Sequence, residues 1–296
     1  MYCSVAAPGS SANLGPGFDC LALALDRWTR VDARTTDGDE IIDAGSPDLL
    51  GGSNLVIEAM RTAEKQLGLK LPGCEITVAS DIPIARGMGS SAAAIVAGIK
   101  LAAILGGMPD VPDADVIDIG GAMEGHADNV SASVLGGVTV SAPAGDRFVS
   151  ELLTSSIPWT PVLFVPDLAA FTSNARAVLP THIPMADVVA NVSRSSLLTV
   201  ALRTGNDEHL RIGMEDRLHQ PYRAEIFPHL KPVIAAAVEA GAAGAALSGA
   251  GPTVLALSRP QYVEDVRLAM AEAAAACNVP GRNLSVAMVS RGCHRL

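Results

Sequence analysis

Aromatic side chains are scarce in this 296-residue chain, where Phe, Tyr and Trp make up 3% of the residues. A core here is filled by Ala, Val, Leu and Ile, which supply most of the 49% that is hydrophobic. Lysine occurs only at Lys65, Lys70, Lys100 and Lys231, none of them in a motif. Net charge is −10 with no block of like charges, so the basic face that a nucleic-acid footprint needs is missing. The cysteines (Cys3, Cys20, Cys74, Cys277, Cys293) are scattered, odd in number and without a CxxC pair. That argues against a disulfide framework and a zinc site, and for reduced, largely buried thiols. The longest apolar runs are broken by Lys100 and Glu239 before they reach membrane-spanning length. Met1-Tyr2-Cys3-Ser4 lacks the basic region of a signal peptide. The expectation is a soluble cytoplasmic protein with no membrane and no nucleic-acid partner.

What the chain has in quantity is glycine, at 28 residues, and proline, at 19, which imply many tight loops between short elements. The most informative stretch runs from Pro83 to Ala94. Cys74 to Ala79 before it alternates as a strand, and Ala92 to Leu105 behind it is rich in helix formers. A strand, a glycine-serine loop and a helix start suit an anion. Gly87 and Gly89 let the backbone approach a ligand, and the first helical amides have no internal partner. Ser90 and Ser91 add hydroxyls for phosphate oxygens or a metal. A serine N-cap after a flexible turn accounts equally well for the loop on its own. It is not a Walker loop, because Gly-Lys-Ser/Thr is absent and Arg86 is the nearby cation.

Pro8 to Asp19 reads as a shaped loop, with Asn13 and Asp19 as its strongly polar side chains. These suit either a small polar ligand or an Asx-turn and a cap. Val31 and Ala33 belong to a strand, and Ile41-Ile42 to a short one. A helix is expected from Ser53, its cap, to about Leu67, with Gly68 as stop and Asn54 beside the cap. Asp113 to Met123 reads as helical, followed by Glu124-Gly125-His126-Ala127-Asp128-Asn129. On a helix, Glu124 and Asp128 would share one face, and hard oxygens near phosphates suit magnesium. His126 reads more readily as a hydrogen-bonded core histidine than as a metal ligand. Prolines 143, 158 and 161 with Gly145 mark a boundary, giving expected domains 1–155 and 156–296. The second half combines a buried strand 161–166, helices over 187–202, 228–240 and 261–277, a strand–turn–strand over 245–257 and a closing strand 284–289. It reads as an antiparallel α+β layer.

Three glycine-serine loops in this order, Pro8–Asp19, Pro83–Ala93 and Leu247–Pro252, resemble the pattern of the GHMP kinases across nearly the whole chain. Four segments carry a closer resemblance to the members that phosphorylate homoserine: Ser11 to Asp19, Glu124 to Asn129, Ala175 to Pro180 and Asp216 to Arg223. Departures are mild: Met88 stands where Leu is usual, and Ala127, Ser131 and Ser133 replace common Pro, Ala and Pro.

The resemblance implies an α+β chain of two domains with the active site in the cleft between them. The first would hold a left-handed β-α-β unit and the second would be ferredoxin-like. The implied reaction is ATP-dependent phosphorylation of the L-homoserine hydroxyl to O-phospho-L-homoserine, a step in threonine biosynthesis. By position, Pro83, Ile84, Ala85, Arg86, Gly87, Met88, Gly89, Ser90, Ser91, Ala92 and Ala93 wrap the ATP phosphates, and Asn54 borders adenine. Ser91 and Glu124 hold Mg2+. Asn13, Asp19, His126, Asp128, Asn129 and Gly249 surround homoserine, while Arg176 and Arg223 take its carboxylate. Catalytic roles fall on Asn129, Asp128 and Arg176. No lysine is placed to act as a base, so either Asp128 accepts the hydroxyl proton or no side chain does; we favour the second, with Asn129 orienting the hydroxyl. Alternatives are a mevalonate- or shikimate-type alcohol kinase and a catalytically silent ligand-binding regulator. A homodimer is expected by resemblance alone.

Overall fold

The computed structural model describes residues 1–45, 54–170 and 172–296. Two strands set its frame. β1 (Tyr2–Asn13) and β2 (Gly17–Thr35) pair antiparallel from Tyr2↔Arg34 to Asn13↔Gly17. Most of the expected shaped loop is therefore strand, with only residues 14–16 left as the turn. The Ala, Gly and Ser run that mimics a loop is a strand buried on both faces, where small side chains let helices come close. The register shifts between Pro8 and Gly9, and a bulge is one of the places in a sheet where proline is accommodated.

β3 (Ile41–Asp43) lies parallel to β4 (Cys74–Ser80), and α1 (Leu55–Gln66) is the crossover between them. Asn54, not Ser53, caps α1: its Oδ1 accepts from the Val56 amide at 3.0 Å. The expected cap Ser53 lies outside the described residues. α2 (Ser90–Leu105) starts two residues earlier than expected and is the buried axis of this half, against which α1, α3 (Asp113–Glu124) and α4 (Asp128–Leu135) pack. Gly98 makes the α1–α2 approach feasible, since a Cβ there would lie 2.5 Å from the Val56 carbonyl. Glu124 and Asp128 do not share one helix face. α3 ends at Glu124, Gly125 turns the chain at φ 81, and α4 begins at Asp128. β5 (Val138–Ala144) and β6 (Arg147–Thr154) extend the sheet from β2.

The second sheet is antiparallel in the order β10-β7-β9-β8. It is formed by β7 (Thr160–Pro166), β8 (Ala242–Leu247), β9 (Val254–Ser258) and β10 (Gly281–Ser285). Between β7 and β8 run α5 (Thr172–Ala177), α6 (Met185–Thr204), α7 (Asp207–Gly213), α8 (Gln220–Arg223) and α9 (Leu230–Glu239). α10 (Val263–Ala276) follows β9. The alternation in β7 decides the layering. Val162 and Phe164 join Val233, Val266 and Met270 on one face, while Leu163 and Val165 join the main core with Leu198 and Leu210 on the other. The closing strand expected over 284–289 divides. β10 ends at Ser285, Met288 bridges Leu25, and β11 (His294–Arg295) pairs with β1, so the chain end returns to the first sheet. The fold is α+β with two sheets, as the resemblance implies. Among the described residues, no helix is long and apolar enough to cross a membrane.

Candidate active site

A cleft opens where both halves contribute a turn. Its walls are the adjoining ends of β1 and β2, the loop before α2, the α3–α4 junction, α5, α8 and the β8–β9 turn. The loop before α2 supplies Ala85, Gly87, Gly89, Ser90 and Ser91. Ala85, Gly87 and Gly89 take left-handed φ values of 54, 73 and 68. The glycines are demanded by closeness as well. A Cβ on Gly87 would stand 2.2 Å from the Ser248 carbonyl, and one on Gly89 2.4 Å from Ser10 Oγ. Gly89 is the N-cap of α2 with no side-chain capping bond, so the first helical amides stay available to an anion.

Other residues expected to touch nucleotide make contacts within the protein or lie beneath the loop. Pro83, Met88, Ala92 and Ala93 are buried beneath the loop, and Ile84 is absent from the cleft wall. Arg86 spends its guanidinium on backbone. It donates to the carbonyls of Pro166 at 3.0 Å, Ile84 at 2.8 Å and Asp167 at 2.6 Å, clasping the loop to the end of β7. Asn54 does not line the cleft; besides capping α1 it donates to Asp43 Oδ2 at 2.8 Å.

Glu124 and Ser91 face each other across the α2 and α3 ends of the cleft. Burial pushes the Glu124 carboxyl above the usual carboxylate range and Asp128 adds to this, while the Ser91 hydroxyl and His126 pull against it. A desolvated carboxylate beside a hydroxyl at a phosphate-type loop is a donor set that fits a hard divalent cation.

The opposite wall is built for both charges. Asp19 accepts from Arg176 Nη2 at 2.7 and 2.9 Å. Its amide donates to Asn13 Oδ1 at 3.0 Å, and Asn13 Nδ2 donates to the Gly249 carbonyl at 2.9 Å. Asp128 is buried, and its Oδ1 accepts from the Asn129 amide and pairs with His126 Nδ1, both at 2.7 Å. Burial disfavours the His126 cation, yet Asp128, with Glu124 and Asp19, lifts its pKa above the ordinary value. Ser10 Oγ donates to Asn129 Oδ1 at 2.8 Å, which fixes the side-chain amide of a residue in the cleft wall. Arg176 and Arg223 sit in α5 and α8, and both guanidiniums lie 5.4 Å from the Phe18 ring centre. Arg223 is 2% exposed, and burial together with Arg176 lowers its pKa to about 10. A buried Arg223 with a second cation beside it favours an anion at its open side, while Arg176, 39% exposed, already pairs with Asp19.

Residues 54–137 match the family described as GHMP kinases N terminal domain, and residues 198–276 that described as GHMP kinases C terminal. The homoserine kinase of Desulfitobacterium hafniense is 38% identical over 291 residues, spanning 96% of this chain and 97% of that one. The chain belongs to the GHMP kinase family. The homoserine kinase of Deinococcus radiodurans is 41% identical over 257 residues, 85% of this chain and 83% of its own. The crystal structure of homoserine kinase from Cytophaga hutchinsonii superimposes with a TM-score of 0.90 at 26% identity, covering 100% of this chain and 97% of that one.

Several residues that shape the site of this GHMP kinase escape a reading by side-chain chemistry. Phe18 lies within the Ser11–Asp19 segment, but one of five phenylalanines carries no mark of a cation platform. Ser248 bonds Gly87 O at 2.6 Å and Ser11 Oγ at 2.8 Å, a clasp between halves that strand spacing does not reveal. His219 and Asp216 stand in the 216–223 segment, and their side-chain burial separates them from surface polar residues.

Proposed function

We propose that this GHMP kinase transfers the γ-phosphoryl group of ATP to the hydroxyl of L-homoserine, giving O-phospho-L-homoserine and ADP in threonine biosynthesis. One observation carries the choice of substrate: a carboxylate, Asp19, and two guanidiniums, Arg176 and Arg223, share one wall of the cleft. That is the complement of an amino acid zwitterion, ammonium towards Asp19 and carboxylate between the arginines. Mevalonate and shikimate carry a carboxylate but give Asp19 no cation to meet.

The phosphates of ATP lie on the Gly87–Ser91 backbone and the α2 amides, opposite the arginines. Phosphoryl transfer asks mainly for alignment and charge stabilisation, so fixed donors are what the protein must provide. Ser91 and Glu124 would hold Mg2+, which when bound neutralises charge on the phosphates. Asn129, held by Ser10, directs its NH2 at the acceptor hydroxyl. Among the described residues no lysine lines the cleft, so the hydroxyl proton leaves to phosphate or water. The expected division at residues 155 and 156 falls between β6 and β7, and we place the nucleotide on the first domain and the carboxylate ligands on the second. A homodimer is the assembly the resemblance implies, and free thiols fit a cytoplasmic location.

Asp128 separates positioning from base catalysis. Its Oδ1 already holds His126 and the Asn129 amide, so Asp128→Asn is expected to raise KM for L-homoserine while kcat stays within roughly tenfold and the acidic limb of the pH profile persists. A kcat loss of about 10²–10⁴ with that limb gone would make Asp128 the base. The function itself is tested by coupled ADP release with and without L-homoserine. Release that rises at least tenfold over the ATP-only rate supports transfer, and ATP binding without acceptor-dependent turnover would mark a silent ligand-binding regulator instead.

A further inference from the structure

Arg223 has five N–H donors, and three of them are assigned. Nε donates to the Ala175 carbonyl at 3.2 Å, and Nη1 serves the Gly249 carbonyl at 3.1 Å and His219 Nδ1 at 3.1 Å. Among the described residues Nη2 has no acceptor, which leaves one edge of the fork for a ligand. Because a guanidinium only donates, His219 Nδ1 must be the acceptor, and a neutral ring then carries its proton on Nε2. Nε2 in turn lies 2.8 Å from the Gly15 carbonyl and donates to it.

The ring is fully buried and stacked 5.2 Å from Phe18, at a tilt of 34°. Its place is set by Asp216, whose carboxylate accepts from the His219 and Gln220 amides at 2.9 and 2.7 Å, and from the Leu218 amide and Asn191 at 3.0 and 2.8 Å. Desolvation lowers the His219 pKa, the direction a neutral ring requires. Gly15 belongs to the turn between Asn13 and Asp19, so one imidazole joins the residue facing the substrate carboxylate to the turn that presents the residue facing its ammonium. His219 itself does not line the cleft.

We propose that His219, as its Nε2–H tautomer, is a positioning residue that fixes the Arg223 fork relative to the β1–β2 turn and so sets selectivity for a free α-carboxylate. The proposal rests on the reading of Arg223 as a carboxylate ligand. It predicts different outcomes for two amide replacements. His219→Asn retains an acceptor near Nδ1, whereas His219→Gln retains a donor near Nε2 but withdraws the acceptor from Arg223.

The experiment compares kcat/KM for L-homoserine and its methyl ester in wild type, His219→Phe, His219→Asn and His219→Gln, with KM for ATP and thermal midpoint measured alongside. Wild type is expected to favour the acid by at least 100-fold. His219→Phe and His219→Gln should lose at least ten-fold of that preference, through KM for the acid, with KM for ATP within threefold. His219→Asn should recover most of it. Equal losses on acid and ester in all three variants, or a preference unchanged in His219→Phe, would overturn the proposal. Absence of the preference in wild type would instead overturn the carboxylate reading. If His219→Phe does not fold, the Asn and Gln pair decides the matter: equal preferences in the two would contradict it.

Discussion

Replacing Arg223 by leucine is expected to weaken L-homoserine by about 2–4 kcal/mol, roughly 30- to 1,000-fold in KM, with KM for ATP nearly unchanged. The size follows from burial. Arg223 is 2% exposed and bound to three protein acceptors, so its open edge meets a carboxylate with no water to compete. Arg176→Leu should fall at the lower end, because that side chain is 39% exposed and its loss also frees Asp19. Lysine at either position should restore little, since a point charge does not reproduce the paired donors of a guanidinium. The methyl ester separates charge recognition from general damage. It should be a poor substrate for wild type and lose little more in either leucine variant. Variants that still prefer acid over ester as strongly as wild type would show that these arginines bind something else. Arg223→Leu strands the Ala175 carbonyl and His219 Nδ1, whereas the Gly249 carbonyl keeps its bond from Asn13, so thermal midpoints must accompany the kinetics.

Glu124→Ala should lower turnover by about two orders of magnitude or more, the scale of losing a charge stabiliser in the transition state. Glu124→Gln is the sharper variant, because the folded protein raises the Glu124 pKa. A raised carboxyl pKa means that the folded state holds the proton more tightly than the unfolded chain. Its stabilising share is present below the unfolded pKa and lost as pH rises through the folded one. Glutamine at this position carries no charge for burial to penalise. Glu124→Gln should then match or exceed the wild-type thermal midpoint at pH 7 without Mg2+, while kcat falls as far as in Glu124→Ala. Near-normal activity of either variant at low Mg2+ would remove Glu124 from the metal site.

How far these residues were legible in the sequence depends on whether their role is local. Gly87, Gly89 and Ser91 are readable because strand, glycine turn and helix start are contiguous, and the geometry that uses them spans a few residues. The separate strands at 41–42 and 74–79, the helix between them and the buried strand expected over 161–166 are readable for the same reason, while their assembly into a βαβ unit came from the resemblance. β1 was not. Its Pro, Gly and Ser content carries loop chemistry, and only the helices packed over it and the bulge at Pro8 make it a strand. Arg86 misleads in the opposite direction. Beside a phosphate-type loop it reads as a phosphate ligand, yet the end of β7, some 80 residues on, supplies the carbonyls that occupy it. Arg176 and Arg223 came from a family resemblance. Their 47-residue separation holds no spacing signal, and it takes α5, α8 and Phe18 to bring the two together. His219 lies further out of reach, since its role is to touch a residue that touches the ligand.

The most direct measurement is kcat/KM for ADP release across L-homoserine, mevalonate, shikimate and L-threonine at fixed ATP and Mg2+, with the mass of each product. A zwitterion-binding wall opposite a phosphate loop predicts L-homoserine to lead every other acceptor by at least 100-fold, its product heavier by one phosphoryl group. Equal or better turnover of mevalonate or shikimate, which place no ammonium beside Asp19, would contradict it.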